Sequence, residues 1–211
     1  MNNKLNGQTN IYDIIKKEKL DVVNEPISKA HGLPNECYNS VEYTKIERKK
    51  LFEDKWVIIG VASSIPNIGD AKPFDLLGIP LILLRDKKKR IKVYHNVCSH
   101  RGYKILQKKC SIKNVLRCPY HSWSYDLEGQ LVATPHVGGM NKHETKDFDK
   151  SSSGLKEVRS CVWLDMIIVN ISNNEVSFEK YVKPLKKRWS KFWSEKDQKL
   201  SKQSKDLGYC Q

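Results

Sequence analysis

Two stretches of this 211-residue chain decide its fold: VYHNVCSHRGYKIL at residues 93–106 and CPYHSWSYDLEGQL at residues 118–131. Each stretch holds one cysteine and one histidine close together, as C-x-H in the first and C-x-x-H in the second. Both pairs follow short strand-like segments, so we expect two loops at one tip of a β domain. Such loops, facing each other, supply two sulfur and two nitrogen ligands for a metal centre. The candidate ligands are Cys98, His100, Cys118 and His121.

This ligand set fits two kinds of metal site. A structural zinc ion takes cysteine and histidine ligands tetrahedrally. A Rieske-type [2Fe–2S] centre takes two thiolates on one iron and two imidazoles on the other. The zinc patterns C-x-x-C and H-x-x-x-H repeat one ligand type, whereas each half of this motif mixes the two. The mixture favours a cluster with two chemically distinct irons, and a zinc-stabilised basic binding module stays an alternative.

Strand signals fill the region around the motif. Between positions 56 and 171 short apolar segments alternate with glycine, proline and charged turns, which is typical of a small antiparallel β domain. IPLILLR and IKVYHNV, separated by DKKKR, predict a hairpin, whereas SIPNIGDAKP at 64–73 predicts a loop. Residues 135–154 predict a long surface loop. The predicted fold class is mainly β.

Helical patterns lie on both sides of this β domain. Asn39 and Ser40 can cap a helix that begins near Val41. The apolar spacing from Phe178 to Trp193 predicts a second helix, and residues 11–23 predict a short amphipathic one.

Composition limits the partners and the location. The formal net charge is +14, but the 31 lysines are spread along the chain and only 7 arginines are present. Nucleic-acid sites favour arginine and a recognisable module, so no nucleic-acid partner is predicted, whereas a basic face can attract an acidic redox protein. The sequence shows neither a signal-peptide pattern nor an apolar run of membrane-spanning length, which predicts a cytoplasmic protein without membrane contact.

The quoted stretches resemble the Rieske domain of ring-hydroxylating oxygenase large (alpha) subunits. LFEDKWVIIGVASSIPNIGD at 51–70 resembles the lead-in of that family, and GLKEVRSCVWLDMIIVNI at 154–171 resembles its exit strands. The resemblance covers about residues 39–195. It implies that the four candidate ligands bind a [2Fe–2S] cluster that receives electrons from a reductase or ferredoxin. It also implies an oxidoreductase, a mono- or dioxygenase subunit, that assembles as a homotrimer.

The same resemblance places a mononuclear Fe(II) site in a C-terminal catalytic half. After His121 only His136 and His143 remain, and neither fits the two-histidine, one-carboxylate pattern of that site. No catalytic residue is therefore predicted, and the catalytic half is expected in a missing or separately encoded segment. The predicted domains are an arm at 1–38, the Rieske domain at 39–172, and a linker helix with the truncated start of an α+β catalytic domain at 173–211. A free-standing Rieske electron carrier is the alternative.

The chain departs from the respiratory Rieske proteins at three positions. Tyr103 and Tyr120 stand where those proteins have a disulfide, and Trp123 replaces a serine that donates a hydrogen bond to the cluster. Fewer donors stabilise the reduced cluster less, so we expect a potential in the lower part of the range of about −150 to +300 mV. The remaining cysteines are predicted to be plain thiols: Cys37, Cys110, Cys161 and Cys210.

Overall fold

The computed structural model describes residues 10–192 of the chain. The chain divides into two compact units, residues 1–55 and residues 56–211, and each is described by itself. The predicted domain boundaries after residues 38 and 172 stay predictions. Trp193, Cys210 and part of the predicted start of a catalytic domain lie outside the described residues.

Short helices build the first unit. Their bounds are 3-10 turns at Ile11–Asp13 and Val22–Asn24, α1 at Lys17–Asp21, α2 at Glu36–Asn39, α3 at Val41–Glu47, and a π-helical segment at Arg48–Glu53. The predicted cap is confirmed, because the Ser40 hydroxyl accepts a hydrogen bond from the Tyr43 backbone N–H at 3.2 Å. The predicted continuous helix over residues 11–23 is wrong, because Lys16 has a non-helical ψ of 137° and separates two short turns.

Antiparallel strands build most of the second unit, which confirms the mainly β prediction. Their bounds are β1 Val57–Val61, β2 Asp70–Leu76, β3 Ile79–Arg85, β4 Ile91–His95, β5 Cys110–Ser111, β6 Leu116–Arg117, β7 Ser124–Tyr125, β8 Leu131–Ala133, β9 Glu157–Trp163 and β10 Met166–Asn170. One sheet has the order β1-β10-β9-β4-β3-β2-β5, and a three-stranded sheet has the order β6-β7-β8.

One further helix, α4 at Phe178–Trp189, follows the strands and confirms the helix predicted from Phe178. Val182 is the buried residue of this helix, as expected for an amphipathic helix that packs through one face. Within residues 10–192, no helix combines the length and the apolar content needed to cross a bilayer.

The predicted hairpin is confirmed: β3 and β4 pair from Leu81 with His95 to Arg85 with Ile91. The side chain of the buried Asp86 closes its turn by accepting hydrogen bonds from the backbone N–H groups of Lys88 and Arg90. This hairpin puts the turn at one end of β4 and the first ligand loop, which carries Cys98 and His100, at the other end. Since β4 has five residues, the two ends lie about 17 Å apart.

Strand β2 occupies part of the segment that was predicted to be a loop, so that prediction is wrong for residues 70–73. Pro73 lies opposite Ile82 of β3 inside the strand. On the other side of β2, the described strand β5 pairs only with Asp70 and Ala71. Proline is tolerated on an unpaired strand edge because its missing N–H breaks no ladder there, so the proline pattern misled the prediction.

The core of the second unit extends into the ligand loops. Cys98 and Cys118 are buried in the same apolar cluster as Tyr94 and Tyr125. The first loop leaves β4 after His95, and the second leaves β6 after Arg117. Because both loops begin inside the packed core, their first residues are fixed by the sheets rather than by the loops alone.

Replacing Gly69 with alanine should destabilise the second unit by about 3 kcal/mol. Gly69 has a φ of +82°, and an added Cβ would lie 2.0 Å from the backbone oxygen of Ile112. Gly102 is the matched control, since its φ is +70° but an added Cβ meets no atom within 4 Å. Gly102→Ala should cost only the backbone strain, about 1 kcal/mol. Urea unfolding of both variants measures the difference, and equal losses would contradict the predicted clash.

Candidate metal centre

The first ligand loop is a tight turn held by hydrogen bonds to both backbone groups of its cysteine. The backbone N–H of Cys98 donates to the carbonyl of Tyr103 at 2.9 Å, and the N–H of Gly102 donates to the carbonyl of Cys98 at 2.9 Å. Gly102 has a φ of +70°, which glycine adopts without a steric penalty. The turn thereby places His100 at its apex, two residues after the buried cysteine.

The second ligand loop repeats this backbone pattern. The N–H of Cys118 donates to the carbonyl of Trp123 at 2.8 Å, and the N–H of Ser122 donates to the carbonyl of Cys118 at 3.0 Å. Ser122 corresponds to Gly102 of the first loop and also has a positive φ, of 59°. The different spacings, C-x-H and C-x-x-H, are thus carried by two turns of the same hydrogen-bond pattern.

The two cysteines meet between the loops. Cys98 and Cys118 are 2% and 1% exposed, and the Cys98 thiol is near enough to raise the pKa of Cys118. Burial raises the pKa of the Cys118 thiol, whereas the backbone N–H groups of Tyr120 and His121 point at its sulfur and favour the thiolate. Two neighbouring buried cysteines, with N–H donors aimed at one of the sulfurs, suit a pair of thiolates bound to a cation.

The two histidines also meet. The rings of His100 and His121 lie 4.7 Å apart between centroids, at 76° to each other. Burial, with a smaller contribution from His121, lowers the pKa of His100 and favours its neutral form. Nδ1 of His121 is buried and has no hydrogen-bond partner among the described residues. A buried nitrogen left without a partner is costly, and a bond to a metal would satisfy it.

These observations test whether the residues fit a [2Fe–2S] cluster. The sequence-predicted ligands form a sulfur pair and a nitrogen pair on facing loops, as the ligand set of a Rieske centre requires. Within the described part of the chain, no three His, Cys, Asp or Glu side chains converge on a site for a single metal ion. The donor set therefore fits the cluster in type and in pairing.

Trp123 lies beside the candidate ligands and is 5% exposed. Its indole stacks on the imidazole of His100 at 4.7 Å between centroids and 17° between planes. The ring of Phe148 lies 5.4 Å from the indole between centroids, at 63° to it, so the long loop at 135–154 contributes to the same apolar cover.

Tyr125 is a site residue that the sequence reasoning missed. Its hydroxyl lies 3.2 Å from Sγ of Cys98 and accepts the backbone N–H of Ser99 at 3.0 Å. The hydroxyl of Ser99 lies 2.8 Å from the same oxygen and donates to the carbonyl of Ser153. Because that serine proton is already used, the tyrosine proton can point at the cysteine sulfur. Trp123 and Tyr125 are two residues apart in the chain, and residues at that spacing along a strand point to the same face. This spacing could have indicated from the sequence that Tyr125 lies beside the centre.

Asn96 is a second residue that was missed. Its side chain is fully buried, and its oxygen accepts the backbone N–H groups of Ile105 and Leu106 at 2.9 and 2.8 Å. Its amide nitrogen donates to the carbonyl of Leu106 at 2.6 Å. Asn96 precedes Cys98 by two residues, so it joins the start of the first ligand loop to the chain that leaves it.

The other cysteines and histidines discussed from sequence have surroundings of their own. Cys110 is exposed on β5, while Cys37 and Cys161 are partly buried free thiols. His136 and His143 face each other in the exposed loop, 5.1 Å between ring centroids. Their Nδ1 atoms accept backbone N–H groups of that loop, so both histidines close the loop on itself.

Comparison with known proteins identifies the domain that carries this centre. A family profile described as "Rieske [2Fe-2S] domain" matches residues 55–146. The chain contains a Rieske domain. That domain implies a [2Fe–2S] cluster, as the ligand motif had predicted.

The curated relatives that match the chain are oxygenase subunits. The chain is 28% identical over 157 residues to the 2-aminobenzenesulfonate 2,3-dioxygenase subunit alpha of Alcaligenes sp., covering 74% of this chain and 39% of that protein. It is 34% identical over 128 residues to the glycine betaine monooxygenase oxygenase subunit of Chromohalobacter salexigens, covering 61% of this chain and 27% of that protein. The predicted homology to Rieske oxygenase alpha subunits is therefore confirmed, over about two fifths or less of the relatives' length.

Solved structures agree with this Rieske fold. Naphthalene 1,2-dioxygenase from Rhodococcus sp. superposes with a TM-score of 0.70 at 26% identity, covering 81% of this chain and 37% of that one. The quaternary ammonium Rieske monooxygenase CntA superposes with a TM-score of 0.66 at 23% identity, covering 75% and 43%. The second likeness concerns the fold alone.

Loss of the Tyr125 hydroxyl should lower the potential of the Rieske centre. Burial raises the pKa of Tyr125 to about 12, so its proton stays available to Cys98 near neutral pH. Such a donor stabilises the more negative, reduced state. We expect Tyr125→Phe to lower the midpoint by about 60 mV, a tenfold change in a one-electron equilibrium. Redox titration checks this against Tyr181→Phe on exposed α4, and an unchanged midpoint would exclude a bond to the sulfur.

Proposed function

We propose that Cys98 and Cys118 hold one iron of the cluster and that His100 and His121 hold the other. The observation that carries the proposal is the unpartnered Nδ1 of His121, buried beside the second histidine. The adjoining buried thiols complete the donor set. Each loop thus contributes one sulfur and one nitrogen.

The residues around the ligands suit a one-electron centre. When bound, a [2Fe–2S] cluster takes up and returns single electrons at a potential that its surroundings set. Tyr125 and the N–H groups directed at Cys118 favour negative charge on the sulfurs, while Trp123 excludes water from one face of His100. These neighbours hold the ligand side chains in place and limit how far they move when the cluster gains or loses an electron.

We further propose that the chain is the electron-transfer portion of a Rieske oxygenase subunit. A reductase or ferredoxin would supply electrons, and a mononuclear non-heme iron in a catalytic half would use them to activate dioxygen. Homology to oxygenase subunits supports this function over a free-standing carrier. The proposed location is the cytoplasm, and the proposed assembly is a homotrimer.

Metal and redox analysis of the purified chain tests the proposal. We expect two irons and two acid-labile sulfides per chain, and the uptake of one electron per cluster during a reductive titration. Zinc bound stoichiometrically without sulfide, after anaerobic reconstitution with iron and sulfide, would refute the cluster and with it the proposed function.

A further inference from the structure

One tyrosine proton lies between two acceptors beside the proposed ligands. The hydroxyl oxygen of Tyr125 lies 3.2 Å from Sγ of Cys98 and 2.8 Å from Oγ of Ser99. The same oxygen accepts the backbone N–H of Ser99 at 3.0 Å. A phenol has a single O–H to donate, so the proton points at either the sulfur or the serine oxygen.

The hydroxyl of Ser99 is fixed as an acceptor toward Tyr125. It donates its own proton to the carbonyl of Ser153 at 2.6 Å. A hydroxyl has one proton and two lone pairs, so the serine oxygen can only accept from the tyrosine. Ser153 is the last residue of the 3-10 turn Ser151–Ser153, and the end of the long loop at 135–154 therefore sets the direction of the serine hydroxyl.

The charge on the sulfur decides which acceptor holds the proton. Tyr125 is fully buried, and burial raises its pKa to about 12, so the proton stays on the tyrosine oxygen near neutral pH. An electron added to the centre makes its sulfurs more negative, and a hydrogen bond to a charged acceptor is roughly twice as strong as one to a neutral acceptor. Reduction therefore draws the O–H from Ser99 toward Cys98.

We propose that Ser99 tunes the potential of the Rieske centre by competing with Cys98 for the Tyr125 proton. In the oxidised state the O–H points mainly at Oγ of Ser99, and in the reduced state it turns about the C–O bond toward Sγ of Cys98. The electron comes from the reductase or ferredoxin, and the turn neither gains nor loses a proton. Because reduction gives up the bond to Ser99, the stabilisation that Tyr125 supplies is partly offset. The inference rests on the proposed electron-transfer function and makes Ser99 a positioning residue.

Two other roles for Ser99 predict different results. If its hydroxyl donated to the sulfur, its removal would lower the midpoint, but that proton is already engaged by Ser153. If the serine only held the loop in shape, its removal would act equally with and without the Tyr125 hydroxyl. Competition requires that the removal raise the midpoint and that this effect depend on Tyr125.

The first test is the midpoint potential of the cluster-loaded Ser99→Ala chain. Its loss leaves Sγ of Cys98 as the acceptor that the Tyr125 hydroxyl contacts within residues 10–192. We expect the equilibrium constant for one-electron reduction to rise about threefold, which is about 30 mV. Ser99 is exposed, so water can reach its position. An unchanged midpoint, as when water replaces the lost oxygen, or a lowered one would overturn the proposal.

Two variants serve as controls for this shift. Ser99→Thr keeps a hydroxyl at the same place and should raise the equilibrium constant less than about 1.5-fold. Ser152→Ala removes an exposed serine of the neighbouring 3-10 turn, whose hydroxyl donates to the Asp149 carbonyl, and should leave the midpoint unchanged. A rise in Ser152→Ala equal to that in Ser99→Ala would contradict a specific role for Ser99.

A double-mutant cycle separates competition from a general effect of the loop. In Tyr125→Phe neither acceptor can receive a proton from residue 125. Adding Ser99→Ala to that protein should therefore change the equilibrium constant less than about 1.5-fold, against about threefold when Tyr125 is present. Equal rises in the two backgrounds would refute the competition.

Infrared difference spectra follow the tyrosine itself. With isotope-labelled tyrosine, the C–O stretch of Tyr125 is identified by its absence in Tyr125→Phe. We expect this band to shift on reduction of the natural chain, because the hydrogen-bond acceptor changes, and to shift at most about half as far in Ser99→Ala. The same band position in both redox states of the natural chain would overturn the proposal, even if Ser99→Ala failed to retain a cluster.

Iron and sulfide content and reduction by dithionite are measured first. Absence of a cluster from the natural chain refutes the proposed function. An intact, chemically reducible cluster whose midpoint does not respond to Ser99→Ala refutes only the competition for the tyrosine proton.

Discussion

Replacing any one of the four proposed ligands should empty the Rieske centre. We expect Cys98→Ser, His100→Ala, Cys118→Ser and His121→Ala each to lower bound iron from two to fewer than about 0.2 atoms per chain. Each substitution leaves three donors for two irons, and the buried site offers no replacement. Iron and sulfide assays of purified protein, with the visible absorption of the cluster, give the measurement.

Two variants of the same chemistry serve as controls for that loss. Cys110→Ser removes an exposed cysteine of β5, and His143→Ala removes an exposed histidine of the long loop. Both proteins should keep two irons and two sulfides, because neither residue contributes to the proposed donor set. Full iron in a ligand variant, or its loss in Cys110→Ser, would show that the ligands have been wrongly assigned.

Removing the side chain of Asn96 should produce the largest loss of folding stability among the predicted variants. Asn96→Ala deletes three hydrogen bonds and leaves buried backbone groups of Ile105 and Leu106 without partners. Each unpaired buried group costs about 1–3 kcal/mol, so we expect a total loss of about 4 kcal/mol. Urea unfolding of the cluster-loaded protein measures it, and the cluster should also be lost faster during incubation with a chelator.

Two further variants separate the hydrogen bonds of Asn96 from its volume. Asn96→Asp keeps the shape and both accepted bonds but turns a carboxylate oxygen toward the Leu106 carbonyl, so its cost should fall as the pH is lowered and the carboxyl group becomes protonated, whereas the cost of the alanine variant should not. Asn114→Ala removes an exposed asparagine and should change stability by less than about 0.5 kcal/mol. A loss below about 1 kcal/mol for Asn96→Ala would mean that water replaces the missing partners.

The sequence pattern was sufficient to predict those features that depend only on residues close together in the chain. The β3–β4 hairpin follows from two apolar runs around a charged turn, and the cap at Ser40 follows from a hydroxyl three residues before the N–H that it accepts. Strand β2 was missed because proline disfavours a strand when only its neighbours in the sequence are considered. Only the sheet order shows that the proline lies beyond the short pairing with β5.

The sequence by itself determined the ligand motif, the small antiparallel β domain and the Rieske resemblance, because ligand spacing, strand periodicity and turn residues are local properties. The tertiary structure alone decided which side chains surround that motif. Tyr125 reaches Cys98 across 27 positions of sequence, and Tyr103 meets Tyr120 only because the two loops face each other. Such contacts depend on strand order and on close packing between sheets, and neither is encoded in the spacing of a short motif.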